Sequence, residues 1–172
     1  MSERNETLRP VSDDDRRRAK IPHELFLTNL IGNHILAFVA TLGIAGNVLW
    51  PLLCVPVVSL LLLTHTLARA HRARRTDPWF VMVHWQLTAR RSLLFLAMLG
   101  LLTLVAGGAW FGYEVAGMRK ETAIALAGGL GMLPTMVTVL VLIVMESDAL
   151  YQAMHGRLPA SLLRRYPQPA AE

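Results

Sequence analysis

Three long stretches of this chain contain no Asp, Glu, Lys or Arg, and they limit its fold more than any other feature. They cover residues 25–68, 92–113 and 122–145 and are 44, 22 and 24 residues long. A helix needs about 20 apolar residues to cross a bilayer. The two shorter stretches therefore hold one span each, and the longest holds two spans and a turn. The sequence predicts an all-α fold, an integral membrane four-helix bundle made of two antiparallel hairpins.

The composition excludes several other classes of protein. Hydrophobic residues make up 53% of the chain and charged residues only 17%, whereas soluble domains carry about 25% charged residues. Such a chain is too hydrophobic to be disordered, and its single cysteine, Cys54, cannot form an internal disulfide framework. The pI near 10.1 does not indicate nucleic acid as a partner, because the basic residues flank the spans.

The positions of the basic residues predict the orientation of the chain. Of 17 Lys and Arg, six precede the first span, six lie between the second and third spans, and three follow the fourth. Only Arg119 and Lys120 lie between the third and fourth spans. Under the positive-inside rule both termini are expected in the cytoplasm. The expected segments are a polar cytoplasmic tail (residues 1–24), a four-span membrane domain (25–150) and a cytoplasmic C-terminal tail (151–172).

Turn and cap signals give the expected bounds of the helices. The predicted spans are residues 25–46, 52–67, 92–112 and 122–145, and a basic loop follows the second span. Residues 78–89 are too short to cross a membrane but contain Trp79 and Trp85, and tryptophan favours the headgroup zone. We therefore predict an interfacial amphipathic helix before the third span.

Both tails contain a candidate helix. Ser12 precedes three aspartates, which resembles a helix start with a capping hydroxyl and acids near the positive end of the dipole. That helix would stop at Pro22. The favoured interpretation of this region is nevertheless a mostly flexible tail near anionic headgroups. In the C-terminal tail, residues 160–166 form a short amphipathic candidate.

Two of the six histidines suggest a cofactor site. His34 and His65 have similar predicted depth on adjacent antiparallel helices, so a two-histidine site for haem b or a metal is geometrically allowed. The chain has no Cys-x-x-Cys-His sequence and no His-x-x-x-His within a span. Water and phosphate at the headgroup boundary can satisfy these imidazoles. We therefore expect no bound cofactor, with haem b at this pair as the alternative.

The segment before the third span has polar residues on two faces. His84, Thr88 and Arg91 share one helical face, and Gln86 and Arg90 lie on the opposite side. The first face could bind a phosphate or a lipid headgroup, because arginine offers a planar, bidentate donor fork. The favoured interpretation is that these residues only mark where the helix meets the headgroups.

Small residues are frequent in the second hairpin. Gly108-x-x-x-Gly112 in the third span and Ala127-x-x-x-Gly131 in the fourth allow close approach of two helix backbones. Packing within the chain is favoured over a dimer interface for both motifs.

Three polar residues within or next to the spans are expected to need partners. Asn29 and Asn33 lie one turn apart in the first span and are interpreted as interhelical hydrogen-bonding groups. Glu146 follows the fourth span, where a helix end disfavours an anion. We expect it to pair with an arginine of the basic loop or with His155, and a proton relay is the weaker alternative.

Two short elements resemble those of a known family. Residues 83–90, Val-His-Trp-Gln-Leu-Thr-Ala-Arg, lead directly into a span. They resemble the His-x-Trp-Gln element of small four-helix bacterial inner-membrane proteins with a domain of unknown function, which are distantly related to the chloroplast inner-envelope import component family. Residues 153–159, a Gly-containing turn before a proline, resemble the end of the same family. The resemblance covers about residues 30–160 and implies a bacterial inner-membrane location. It also implies that His84 and Gln86 tie the interfacial helix to neighbouring spans, although the long polar N-terminal tail departs from the family.

No sequence motif indicates catalysis. A Gly-rich phosphate loop, a Gly-x-Ser-x-Gly elbow and a zinc-protease signature are all missing from the sequence. The first hypothesis is a non-enzymatic accessory subunit, assembly factor or scaffold, with membrane lipids and a larger complex or a homo-oligomer as partners. The alternatives are a homo-oligomeric transport or permeation protein, a haem- or quinone-binding redox subunit, and a lipid-binding protein that uses Arg90, Arg91 and the loop arginines.

Overall fold

The computed structural model describes residues 10–44 and 50–169, and it is mainly helical in these ranges, with no strand in them. The all-α prediction is confirmed. Seven α-helices and two π-helical segments follow in the order α1 (Asp13–Leu27), π1 (Thr28–Ala37), α2 (Phe38–Ile44), α3 (Trp50–Thr76), α4 (Trp79–Glu114), α5 (Lys120–Leu126), π2 (Ala127–Met132), α6 (Leu133–Met154) and α7 (Ala160–Arg165). The predicted turn at Gly46 and Asn47 lies outside the described residues.

Four helical stretches are long and apolar enough to cross a membrane. They are Asp13–Thr41, Leu53–Thr76, Trp79–Glu114 and Lys120–Met154. Their number equals the four spans predicted from the uncharged stretches of the sequence. Each of the four stretches extends beyond its predicted span by more than a turn at one end, because polar and charged residues continue the same helix.

The first helix begins at the predicted cap but does not end at the predicted proline. The Ser12 hydroxyl accepts a hydrogen bond from the Asp15 backbone N–H at 3.1 Å, which satisfies a donor that has no partner within the helix. Pro22 lies inside α1, and the chain stays helical through π1 and α2. The interpretation of residues 13–24 as a flexible tail is therefore wrong, because Ala19 and His23 are buried against other helices.

The predicted basic loop and interfacial helix are parts of longer helices. α3 continues to Thr76, so the arginines after the second span lie on a helix. α4 runs unbroken from Trp79 to Glu114, and no separate helix precedes the third span. Phe80, Val81 and Trp85 are at most 4% exposed. The prediction of a separate helix over residues 78–89 is therefore wrong, and these apolar side chains pack inside the protein.

The chain divides into two compact units whose boundary falls within α4 and α6. One unit combines Met1–Ala89 with Glu146–Glu172, and the other is Arg90–Met145. The first unit has two apolar clusters, and their buried members are Ala70, Ala73, Val81, Trp85 and Ala89 in one and Ala19, Phe80 and Ala153 in the other. Alanines make up five of these eight residues, so the helix backbones in this unit lie close together.

In the second unit, one glycine allows close contact between α4 and π2. A Cβ atom at Gly131 would lie 3.1 Å from Leu102 Cδ1 and 3.5 Å from Val105 Cβ, as the Ala127-x-x-x-Gly131 motif predicts. A Cβ at Gly108 would meet nothing within 4 Å, and one at Gly112 would meet the Met118 side chain beyond the end of its own helix. Within the chain, neither glycine therefore makes close contact with another helix, and the alternative of a dimer interface stays a prediction.

Candidate functional site

A buried chain of three titratable side chains lies in the first unit. His23 Nδ1 lies 2.5 Å from Glu146 Oε2, and His23 Nε2 lies 2.8 Å from His84 Nδ1. The Thr88 hydroxyl oxygen lies 3.1 Å from the same Nδ1 atom of His23. All four side chains belong to residues with 0% exposure. We call His23, His84, Thr88 and Glu146 the buried polar cluster.

Three helices far apart in sequence supply the buried polar cluster. His23 lies in α1 and Glu146 in α6, 123 residues later. His84 and Thr88 are four residues apart in α4, so they lie on one face of that helix. The Phe80 ring, one turn earlier, packs against the His84 ring with centroids 4.7 Å apart. The cluster thus packs against one aromatic ring and joins three helices through polar contacts.

The distances require protons at two defined places. A ring nitrogen and a carboxylate oxygen at 2.5 Å need one shared proton, and two ring nitrogens at 2.8 Å need another. When His23 carries a proton on Nδ1 alone, that N–H faces Glu146, and His23 Nε2 accepts a hydrogen bond from His84 Nδ1. When His23 carries protons on both nitrogens, its Nε2 donates a hydrogen bond to His84 Nδ1. The cluster can therefore hold a proton at either end of one continuous hydrogen-bonded path.

Gln86 belongs to a second polar group that connects α4 to α3. Its side-chain amide N–H donates to the Ala70 carbonyl at 2.6 Å, and its carbonyl oxygen accepts from Arg74 Nη2 at 2.7 Å. Gln86 is 4% exposed. His84 and Gln86 thus each bond a residue of another helix. The expectation that His84 and Thr88 face the headgroups is wrong, because both residues are fully buried.

Arg91 bonds the backbone of α6. Its Nη1 atom donates to the Met145 carbonyl at 3.0 Å. Arg90 is half-buried.

Asn29 and Asn33 connect π1 to α3 as predicted. Asn29 Nδ2 donates to the Ser59 hydroxyl at 3.2 Å, and Asn33 Nδ2 donates to the Val55 carbonyl at 2.8 Å. Both asparagines are at most 8% exposed. The interpretation of these two residues as interhelical hydrogen-bonding groups is confirmed.

The same two bonds fix the antiparallel register and separate His34 from His65. Asn29 faces Ser59 and Asn33 faces Val55, so His34 lies at the level of residue 54 of α3. His65 lies eleven residues further along α3, which is roughly 16 Å at the rise of an α-helix. The two histidines do not share one depth, and that part of the prediction is wrong. His34 Nδ1 donates to the carbonyl of Asn29 at 3.1 Å.

Within the residues that the structure describes, no group of three or more His, Cys, Asp and Glu side chains is arranged to hold a metal ion. This holds for the buried polar cluster as well, where each ring nitrogen facing a neighbour is already in a hydrogen bond. The hydrogen bonds within the cluster can carry a proton.

The sequence indicated that Glu146 needs a partner but not which one. His23 is a partner of Glu146, and the His155 ring bonds the Tyr151 carbonyl at 2.8 Å. The acidic residue directly after a long apolar stretch was the available signal. His23 gave none, because it lies in a segment that was interpreted as a tail.

Comparisons of the chain with protein-family models, with curated proteins and with solved structures found no match.

Proposed function

We propose that the chain is a non-enzymatic multi-pass protein of the bacterial inner membrane with both termini in the cytoplasm, and that it serves as an accessory subunit, assembly factor or scaffold of a membrane complex. The four long apolar helices and the fifteen-to-two distribution of basic residues support the location and orientation. The resemblance of residues 83–90 and 153–159 to small inner-membrane proteins supports it further.

The observation that carries the accessory role is the use of buried polar side chains to join helices. His84, Gln86, Asn29 and Asn33 each bond a group on another helix. Buried polar groups that are satisfied in this way rigidify and specify one arrangement of helices. A scaffold needs helices that keep one rigid arrangement.

The apolar surface offers large areas for lipids or partner helices. Leu61, Leu104, Leu140 and Val144 are between 59% and 74% exposed. In a bilayer these side chains would contact lipid tails or the helices of another subunit, which is the surface that an accessory subunit presents.

Native mass spectrometry on protein gently extracted from its own membrane tests this proposal. We expect the chain to carry additional mass that corresponds to other polypeptides. Recovery of a lone monomer or of a homo-oligomer without other polypeptides would contradict the accessory role.

The buried polar cluster favours a second candidate function, proton transfer in a homo-oligomeric transport protein. A carboxylate and two imidazoles in one hydrogen-bonded path, in a chain with four candidate spans, resemble in chemistry the proton relays of transporters. Vesicles reconstituted with the protein and loaded with a pH-sensitive dye test it. Wild type should then conduct protons faster than Glu146→Gln, and equal rates at the level of empty vesicles would exclude this function.

A further inference from the structure

A cavity of about 210 Å³ lies in the first unit, between α1, α3 and α4. It is lined by Arg18, Ile21, His65, Arg69, Val81 and Trp85. A single water needs only about 15 Å³ of such space, so the cavity has room for a polyatomic group. Its wall combines cationic side chains with apolar ones.

Two guanidinium groups of the cavity wall share one buried carboxylate. The Asp77 carboxylate, 3% exposed, contacts Arg18 Nη2 at 2.8 Å and Arg69 Nη2 at 2.7 Å. Arg18 also lies 4.0 Å from the exposed carboxylate of Asp14. The Nη1 atom of Arg69 is buried and has no hydrogen-bond partner. Arg69 therefore retains hydrogen-bonding capacity that Asp77 does not use.

Two contacts hold the Arg69 guanidinium in place. Its Cζ atom lies 5.0 Å from the centroid of the Trp85 ring, a cation–π distance, while Asp77 anchors the other side. Trp85 is itself 3% exposed and belongs to the apolar cluster of α3 and α4. A guanidinium held in this way loses little conformational freedom when it binds a ligand.

The position of Arg69 indicates which ligand is at hand. It is the first charged residue after 44 uncharged ones, so in a membrane it lies where the hydrocarbon zone ends and lipid phosphates begin. Ile21 and Val81 add an apolar wall next to the cationic one. A phosphate ester with an apolar attachment matches both walls.

We propose that this cavity binds a phosphate group, with Arg18 and Arg69 as its donors and Trp85 holding Arg69 in place. Arginine binds phosphate through two parallel N–H donors. A phospholipid headgroup and a soluble phosphate both offer this chemistry. The site is separate from the buried polar cluster. It rests on the membrane location proposed above but not on the accessory role.

The test measures binding to the full-length protein after delipidation in detergent. Native mass spectrometry follows the retention of added phosphatidylglycerol, and a second titration adds inorganic phosphate as a competitor. The variants are Arg69→Gln, which removes a donor, and Ile21→Trp, which fills the cavity and leaves every charge in place. Arg72→Gln is the matched control, because Arg72 is an exposed arginine on the same helix.

We expect about tenfold weaker retention of phosphatidylglycerol in Arg69→Gln and in Ile21→Trp, and no change in Arg72→Gln. Competition by inorganic phosphate would assign the site to soluble phosphates, and its failure to compete would assign it to the lipid headgroup. Ile21 is 49% exposed, so its substitution has room and preserves the fold even if Arg69→Gln unfolds.

Two results would overturn the proposal. In the first, Arg69→Gln, Ile21→Trp and Arg72→Gln all retain phosphatidylglycerol and phosphate as well as wild type does. In the second, Ile21→Trp binds as wild type does, since an anion site that tolerates a filled cavity lies elsewhere.

Discussion

Replacing Glu146 by alanine tests the central contact of the buried polar cluster. The change removes the carboxylate that lies 2.5 Å from His23 Nδ1, where both residues are 0% exposed. Removing one partner of a buried pair destabilises proteins by about 3–5 kcal/mol, because the other partner stays buried without compensation. The Thr88 hydroxyl, 3.1 Å from the same nitrogen, can accept part of the freed hydrogen bond. We therefore expect the lower end of this range, about 3 kcal/mol.

The free energy of unfolding can be measured for the full-length protein by titration with a denaturing detergent, followed by the loss of helical circular dichroism. The matched control is Asp148→Asn, two residues later in α6. Asp148 is exposed and accepts a hydrogen bond from Gln152 within the same helix. A surface substitution of this kind changes stability by about 0.5 kcal/mol or less.

A double-mutant cycle with His23→Ala isolates the pair from other effects. Because each substitution removes the same contact, the double variant should be more stable than the sum of the single effects implies, by about 1–3 kcal/mol. Strict additivity would refute a direct interaction between Glu146 and His23. The direct interaction would also be refuted if Glu146→Ala and Asp148→Asn had the same free energy of unfolding.

Four further substitutions test other parts of the fold. Gly131→Leu should destabilise the second unit by about 1–3 kcal/mol, because its Cβ would lie 3.1 Å from a leucine of α4, whereas Gly108→Leu, with nothing within 4 Å, should be neutral. Equal effects would contradict this packing. Asn33→Ala should lose about 1 kcal/mol with its bond to a carbonyl of α3, and an unchanged midpoint would disprove that contribution. Ser12→Ala should cost about 1 kcal/mol and accelerate amide exchange at Asp15, whose N–H it caps; unaltered exchange would show that the cap is dispensable.

The number of long helices and the cap of α1 follow from local features of the sequence. Hydropathy over about 20 residues is a property of one segment, and the Ser12 cap involves residues three positions apart. Neither depends on where the rest of the chain lies. The asparagines of π1 were also predictable, since a polar side chain within an apolar stretch must find a partner on another helix.

The helical nature of residues 68–76 and the burial of residues 79–89 were not predictable in this way. Arginines at these positions are equally compatible with a loop. Their helix is stabilised by tertiary packing of Ala70 and Ala73 against Trp85, which requires α4 to be in place. The amphipathic pattern of 79–89 shows an apolar face, but it does not distinguish a lipid surface from a protein interior.

The buried polar cluster depends on contacts over 61 and 123 residues of sequence. The sequence identified Glu146 as an anion in an unfavourable position and His84 as a residue of interest. His23, the third titratable side chain of the cluster, could not be recognised, because the sequence predicted that the first helix stops at Pro22. Pairing between distant segments is a property of the fold, and one sequence contains no direct record of it.

The π1 segment makes the length of one part of the chain unusually critical. His23, before π1, contacts α4 and α6, whereas Asn33, within it, contacts α3. One residue inserted into or deleted from a helix rotates everything on one side of the change by about 100° relative to the other. Such a change between residues 24 and 32 would turn one of these side chains away from its partner. A single-codon insertion or deletion there would force the protein to give up either the buried polar cluster or the register of π1 against α3.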